Sequence, residues 1–334
     1  KIMSKRTDLA TTVTINSTYA GEFSGKYISA ALLSASTIDD GGVTVMPNVK
    51  YKQVIQKVET GTLIADGSCD FPSGGSSSVT LSEVILQPEE FQVALQLCKS
   101  DFINTWDAIQ MGYSAFNPNG LPTSFADYLI GHVASKVAAE NEVNLWTGNL
   151  GGAQAGEYNG LETLAAADAT VVDVAAAGGG LTAANIIDEM QRVVDAIPNT
   201  LFGKEDLRLY VSNKAAKLYI RALGGFSAQL NAAGTENVSS KGGAGYENRG
   251  TQWYNNGSLS FGGIQIFVAR GMSDDTMIAA QTSNLFFGTG LLNDYNEVRV
   301  IDMTPVEGSQ NVRIIMRFTA AAQIGIGADV VYYA

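Results

Sequence analysis

Two runs rich in β-forming residues, 48–60 (NVKYKQVIQKVET) and 79–87 (VTLSEVILQ), flank a stretch full of strand breakers. Residues 61–78 hold Gly61, Gly67, Pro72, Gly74, Gly75 and the consecutive serines 76–78. This order predicts a long β-hairpin with a flexible tip. Lys, Gln and Glu alternate with Val and Ile so that both faces of the ribbon are mixed. The ribbon therefore has no core of its own, and an isolated two-stranded hairpin is marginal in water. It needs a surface to lie on. The preceding segment, 1–46, is small and polar (Thr11, Thr12, Thr14, Ser17, Thr18, Gly21, Gly25) and reads as an extended arm. Alone it has the composition of a disordered tail. Ile15, Tyr19, Phe23, Tyr27 and Ile28 instead point to binding on a neighbour.

The remainder reads as α+β. Phe91, Val93, Leu95 and Leu97 alternate with Gln92, Ala94 and Gln96, the period of a half-buried strand. A short helix is expected over 101–111, with Ser100 as its cap. The strongest helix spans 125–147, with Ser124 and Asp127 as a capping box. Phe125, Leu129, Val133 and Val137 form its apolar stripe, while Asp127, Lys136, Glu140 and Glu142 lie off it. Gly148 closes it. Such a helix is about 35 Å long, enough to brace an elongated molecule.

Gly- and Ala-rich text follows over 149–180, with a strand at 171–174. Thr182 is expected to cap a second amphipathic helix bearing Ile186, Met190, Val193, Val194 and Ile197. A strand at 207–211 and a helix at 213–223 precede a long polar loop, 224–258. The closing strands are expected at 263–269, 276–280, 297–302, 311–319 and 329–333. No repeat at solenoid or propeller spacing is present.

The chain has 334 residues, 46% of them hydrophobic, which is material for about two domains. Glycine is frequent (36) and proline rare (7), as in β-rich folds with many tight bends. The net charge of −12 argues against a general nucleic-acid binder, although such a surface can line a container that repels a packed polyanion. Cys69 and Cys98 match no zinc or redox spacing and read as reduced thiols. No apolar run reaches the length of a membrane span, and no signal-peptide pattern is visible.

Chemistry is hard to find. The one histidine, His132, lies near the apolar stripe of the long helix and reads as a satisfied structural residue. No G-x-S-x-G elbow accompanies it. Gly178, Gly179, Gly180 and Ala183 fit G-x-G-x-x-A between a strand and a helix, a dinucleotide-binding spacing. The strand before it is short, however, and the acidic residue about 20 positions on, Asp195, falls inside a helix. A flexible loop is the expected reading. Asp39–Asp40 and Asp274–Asp275 lack calcium-loop spacing and read as solvated turns. No catalytic, cofactor-binding or metal-binding residues are expected.

The order of elements, and then the C-terminal text, resembles the major capsid proteins of tailed phages, the Hong Kong 97 fold. That text is TSNLFFGTGLL at 282–292, NEVRVID at 296–302 and NVRIIMRFTAAAQIGIGAD at 311–329. The resemblance covers nearly the whole length. It implies an N-terminal arm at 1–46 and an E-loop hairpin at 47–88. It implies a P domain at 89–180 and 293–334, with the long helix as its spine, and an A domain at 181–292. The 224–258 loop would lie near a capsomer axis. The start at Lys1 rather than Met would accord with a scaffolding segment removed by a maturation protease. Lys50, Lys52 and Lys57 lie on the hairpin, where some members of the family carry a cross-linking lysine, but no motif here marks a partner for one.

The resemblance implies a structural subunit and no enzyme. It would self-assemble into hexamers and pentamers of an icosahedral or prolate virion capsid, built in the host cytoplasm around double-stranded DNA touched non-specifically. Portal, scaffold, maturation protease and cement proteins are the implied partners, with no membrane. A nanocompartment shell of the encapsulin kind is the alternative, and a nucleotide-binding enzyme using Gly178–Gly180 a lower one.

Overall fold

The computed structural model describes residues 36–49, 51–60, 79–98, 123–152, 156–176, 178–223, 259–290, 297–303 and 307–334. The arm over 1–35, the hairpin tip 61–78, the helix expected at 101–111, the loop 224–258 and residues 291–296 lie outside them. The chain divides into two compact units. Of the described residues, one unit takes those within Pro88–Asn141 and Thr289–Ala320. The other takes those within Ser36–Gln87, Glu142–Gly288 and Ala321–Ala334.

In the first unit, strand β12 (Asn311–Ile324) contributes its residues up to Ala320. It pairs antiparallel with β4 (Glu89–Cys98) on one side and β11 (Glu297–Asp302) on the other. The registers Val312↔Leu97, Ile314↔Leu95, Met316↔Val93 and Phe318↔Phe91 gather most of the large apolar side chains of the paired strands on one face, with Ile315 opposite Ala94 on the other. That face packs on helix α2 (Thr123–Thr147) through Ile130, Val133 and Val137. Phe91 and Phe318 meet with ring centroids 5.6 Å apart. The expected period-two strand is present, although Leu95 remains 41% exposed.

The expected helical stripe is present over its described part, where Ile130 joins it. Ile130, Val133 and Val137 are buried at i, i+3, i+7, while the side chains of Phe125 and Leu129 lie outside the described set. Helix α2 begins at Thr123, one residue ahead of the expected cap Ser124. His132, read as a satisfied structural residue, is exposed on α2 one position before the buried Val133.

The second unit is built on a six-stranded mixed sheet. Its order is β5 (Val172–Val174), β13 (Val331–Tyr333), β9 (Met277–Gln281), β6 (Leu207–Ser212), β8 (Ile264–Ala269), β7 (Ser260–Phe261). β5 runs parallel to β13 and β6 to β8; the other neighbours are antiparallel. β6 lies inside the sheet with both faces covered, so its run of apolar residues is nearly continuous.

Leu207, Leu209 and Val211 face helices α4 (Ile186–Asp195) and α5 (Asn213–Leu223), which contribute Ile186, Met190, Val193, Ala215 and Tyr219. On the other face Tyr210 stacks between Trp146 and Phe267, each 5.4 Å away by ring centroid. Helix α5 has the expected bounds. Helix α4 starts at Ile186, because Asn185 Oδ1 takes both the backbone N–H and the hydroxyl of Thr182 in a preceding turn. Thr182 is therefore not the side-chain cap. A helix absent from the sequence reading, α3 (Leu161–Ala167), lies within the Gly/Ala-rich text.

The second unit also carries α1 (Ser36–Asp39) and β1 (Thr44–Pro47), the latter hydrogen-bonded to β10 (Leu285–Thr289). Strands β2 (Gln53–Thr60) and β3 (Val79–Leu86) form the hairpin. The strand expected from residue 48 begins later, because Asn48 adopts φ 64°, a left-handed turn that Asn tolerates. Gly148 ends α2 for reasons of space rather than handedness. A Cβ there would sit 2.3 Å from the Tyr158 carbonyl oxygen and 2.6 Å from that of Asn144.

Ile314 is fully buried at the centre of the first unit's sheet. Truncation to Ala is expected to cost about 2–5 kcal/mol, read as a lower midpoint in urea unfolding with native-like helix content before the transition.

Candidate assembly surface

Residues directly opposite in an antiparallel pair share a face. The register Val54↔Ile85, Gln56↔Glu83, Val58↔Leu81 defines one face of the β2–β3 ribbon, and Gln53↔Leu86, Ile55↔Val84, Lys57↔Ser82 the other. The second face is anchored at its base. Leu86 is 1% exposed and clusters with Val49 and Ala321, with Met46 and Ile55 against them. Leu86 lies so close to Gly288 that a Cβ there would approach it to 2.7 Å. The opposite face is open: Val54 and Ile85 are each 45% exposed and Leu81 71%. Among the described residues no third strand joins the ribbon. The reading of a ribbon without any core is thus corrected at its base and holds for its outer face.

A buried polar node fixes the segment that leads into the ribbon. Thr37 donates its N–H to Glu142 Oε2 at 2.9 Å and its hydroxyl to Glu142 Oε1, and accepts the indole N–H of Trp146 at 3.0 Å. Glu142 and Trp146 stand one turn apart on α2, and both are buried. The sequence reading set Glu142 off the apolar stripe. Only the approach of Thr37, 105 residues away in the chain, makes burial of that carboxylate tolerable. Tyr158 is buried beside them; burial, and then the Glu142 charge, hold its hydroxyl well above the usual tyrosine range.

The Gly178–Gly180 loop is occupied by the protein's own carboxylate. Gly179 and Gly180 have φ of 105° and 77°, and the next N–H, of Leu181, donates to Asp275 Oδ1 at 2.9 Å. Lys214 Nζ donates to both Asp275 oxygens, at 2.7 and 2.8 Å. A dinucleotide phosphate would take these donors, and here it would meet a fixed negative charge instead. β5 and β6 are separated in the sheet by β13 and β9, so no adjacent parallel βαβ unit exists at this loop.

Asp274 and Asp275 lie in a solvent-facing turn, as read from the sequence, but Asp275 is also engaged. Asp275 forms that ion pair, and the Asp274 carbonyl accepts the Ser212 hydroxyl at 2.6 Å. The same turn is held by the buried Glu162, which accepts Ser273 N–H, the Ser273 hydroxyl and the Thr276 hydroxyl. Burial pushes the Glu162 carboxyl up, against the pull of those hydrogen bonds.

The other expected residues are dispersed. Cys98 ends β4, half-buried, and Cys69 lies outside the described residues. Asp39 and Asp40 are exposed, as solvated turn residues are. Lys50 lies outside the described residues, Lys52 sits 5.6 Å over the Tyr51 ring, and Lys57 is half-buried. Among the described residues no three His, Cys, Asp or Glu side chains are grouped to hold a metal. No helix among them is long and apolar enough to cross a membrane.

No protein-family model and no curated protein sequence matches the chain. Solved structures do. The capsid of a native GTA particle matches with TM-score 0.53 at 15% identity, over 98% of this chain and 95% of that one. A chain of the satellite phage P4 procapsid including size determination (Sid) protein matches with TM-score 0.52 at 10% identity, over 92% and 96%. A Mycobacterium phage Adephagia chain matches with TM-score 0.54 at 14% identity, over 91% and 89%. The chain has the α+β fold of phage capsid proteins, the fold that its sequence resemblance implied.

Two outcomes follow for the polar contacts. Thr37→Val is expected to destabilise by about 1–3 kcal/mol in denaturant unfolding, because it strands the Trp146 N–H and removes a donor from Glu142. Asp275 is held below the usual carboxylate range, first by the Lys214 hydrogen bond and then by the Leu181 N–H. Its stabilising contribution is present above the ordinary carboxylate pKa and is lost as pH falls through the lowered value. Carboxyl NMR titration of Lys214→Met is expected to move Asp275 up toward the ordinary range.

Proposed function

We propose that the protein is the shell subunit of a tailed-phage head, assembling as hexamers and pentamers into a closed capsid around double-stranded DNA. The outer face of the hairpin carries this reading. Val54 and Ile85 form an exposed apolar pair, and Leu81 stands beyond the polar Gln56–Glu83 pair, on a ribbon whose described contacts lie at its base, in a chain with a capsid fold. Covering these side chains on another copy stabilises by on the order of 1 kcal/mol each. In a closed shell every copy makes and receives the contact, so small contributions add across the particle.

In this reading residues 1–46 are the arm and 47–88 the E-loop. Residues 89–180 with 293–334 form the P domain, braced by α2, and 181–292 form the A domain. The protein resides in the virion after assembly in the host cytoplasm and performs no catalytic step. Portal, scaffold, maturation protease and cement proteins are its further partners.

Thr60 and Val79 are directly opposed in the ribbon, so a two-residue Asn-Gly turn can replace 61–78 without disturbing β2 and β3. That variant is expected to remain a folded subunit by circular dichroism and to form few closed particles in negative-stain micrographs. Wild-type-like shells from it would overturn the reading. Small uniform particles without a portal vertex, from the unaltered chain, would assign it to the nanocompartment class.

A further inference from the structure

Helix α5 departs from the charge of the chain around it. The protein has 21 basic and 33 acidic side chains, yet residues 207–235 contain Arg208, Lys214, Lys217 and Arg221 and no Asp or Glu. Ala215, Ala216 and Tyr219 are the buried side of α5. Lys217 and Arg221, one turn apart, stand on the opposite side beside Ile220, which is 47% exposed. Lys214 flanks them and is engaged by Asp275. Lys217 and Arg221 meet no carboxylate among the described residues.

A solvated helix face in an acidic protein mixes signs, as α4 does with exposed Asp188, Arg192 and Asp195 and its Glu189–Arg192 pair at 2.6 Å. The face of α5 carries one sign. The helix dipole accounts for Arg221 in the last turn and not for Lys214 in the first. From Lys214 to Arg221 is about 10 Å along the axis. Each strand of duplex DNA carries one phosphate per about 3.4 Å of helix axis, so a row of this length can face two or three of them.

We propose that this face of α5 is where the subunit touches the phosphate backbone of duplex DNA, without base readout. The proposal rests on the shell reading, which makes DNA the enclosed polyanion. A second copy of the chain is the other acidic surface at hand, but several of its described exposed carboxylates stand near a cation (Glu140 one turn from Lys136, Asp188 and Asp195 by Arg192, Glu205 next to Lys204), whereas a phosphate backbone is an unbroken row. The net charge of −12 keeps the rest of the surface repulsive, so the contact is weak per subunit and acts by repetition.

The test is fluorescence anisotropy of a labelled duplex titrated with the full chain, alongside micrographs of the same preparations. The wild type is expected to bind at 50 mM salt and to lose roughly 10- to 40-fold in affinity by 200 mM, as two or three phosphate contacts dictate. Lys217→Ser/Arg221→Ser is expected to bind about tenfold or more weakly at 50 mM while keeping its circular dichroism spectrum and forming particles as the wild type does. The charge-conserving Lys217→Arg/Arg221→Lys is expected to keep binding. A wild type that binds no better than the serine variant overturns the proposal. So does a serine variant that binds DNA normally but forms no particles, which would assign the face to copy–copy contact. Absence of closed particles from the wild type counts against the shell reading alone, because the anisotropy comparison stands without them.

Discussion

A two-stranded ribbon has two faces and only one of them can rest on its own unit. Here the resting face is secured at the base, where Leu86, Ile55, Val49 and Ala321 exclude water and Leu86 presses on Gly288. The open face keeps Val54, Leu81 and Ile85 in solvent. Hydrophobic burial is non-directional and scales with area, so apolar side chains held exposed on an anchored base favour a second surface. The β1–β10 pairing and the node that pins residue 37 fix the segment that leads into that base.

The buried polar groups of this molecule are fasteners. Glu142 receives Thr37, Glu162 receives the 273–276 turn, and Asn284 clasps Ile326 through both its amide atoms at 2.7 and 2.8 Å. Each joins segments far apart in sequence, and each satisfies donors that burial would otherwise leave costly. Asp275 does the same for the glycine loop. The hydrogen-bonding capacity of these acids and amides is directed at groups of the chain itself. They fix loops and joints of the fold.

Most of the secondary structure was legible from period and punctuation. Helix α5 and strands β4 and β11 lie where alternation and breakers put them, because their apolar residues pack on neighbours in the unit as the pattern demands. The misreadings have separate causes. Helix α3 escaped because LETLAAA is short and sits in Gly/Ala-rich text. Asn48 ended one strand and delayed another by taking a left-handed turn that no alternation pattern reports. Thr182 has a cap's chemistry, but Asn185 claimed its donors first.

From the amino-acid order alone came the ribbon, its breaker-rich middle, the long helix, the absence of a local catalytic pattern and the resemblance to capsid proteins. Those are properties of spacing, and spacing is written along the chain. Which face of the ribbon is anchored, that Glu142 is buried, and that Asp275 fills the glycine loop were decided only by tertiary structure. Each depends on a partner roughly a hundred residues or more away in the sequence — Ala321 for the ribbon, Thr37 for Glu142, Leu181 for Asp275 — and no local pattern records which distant group will arrive to satisfy a buried charge or cover an apolar side chain.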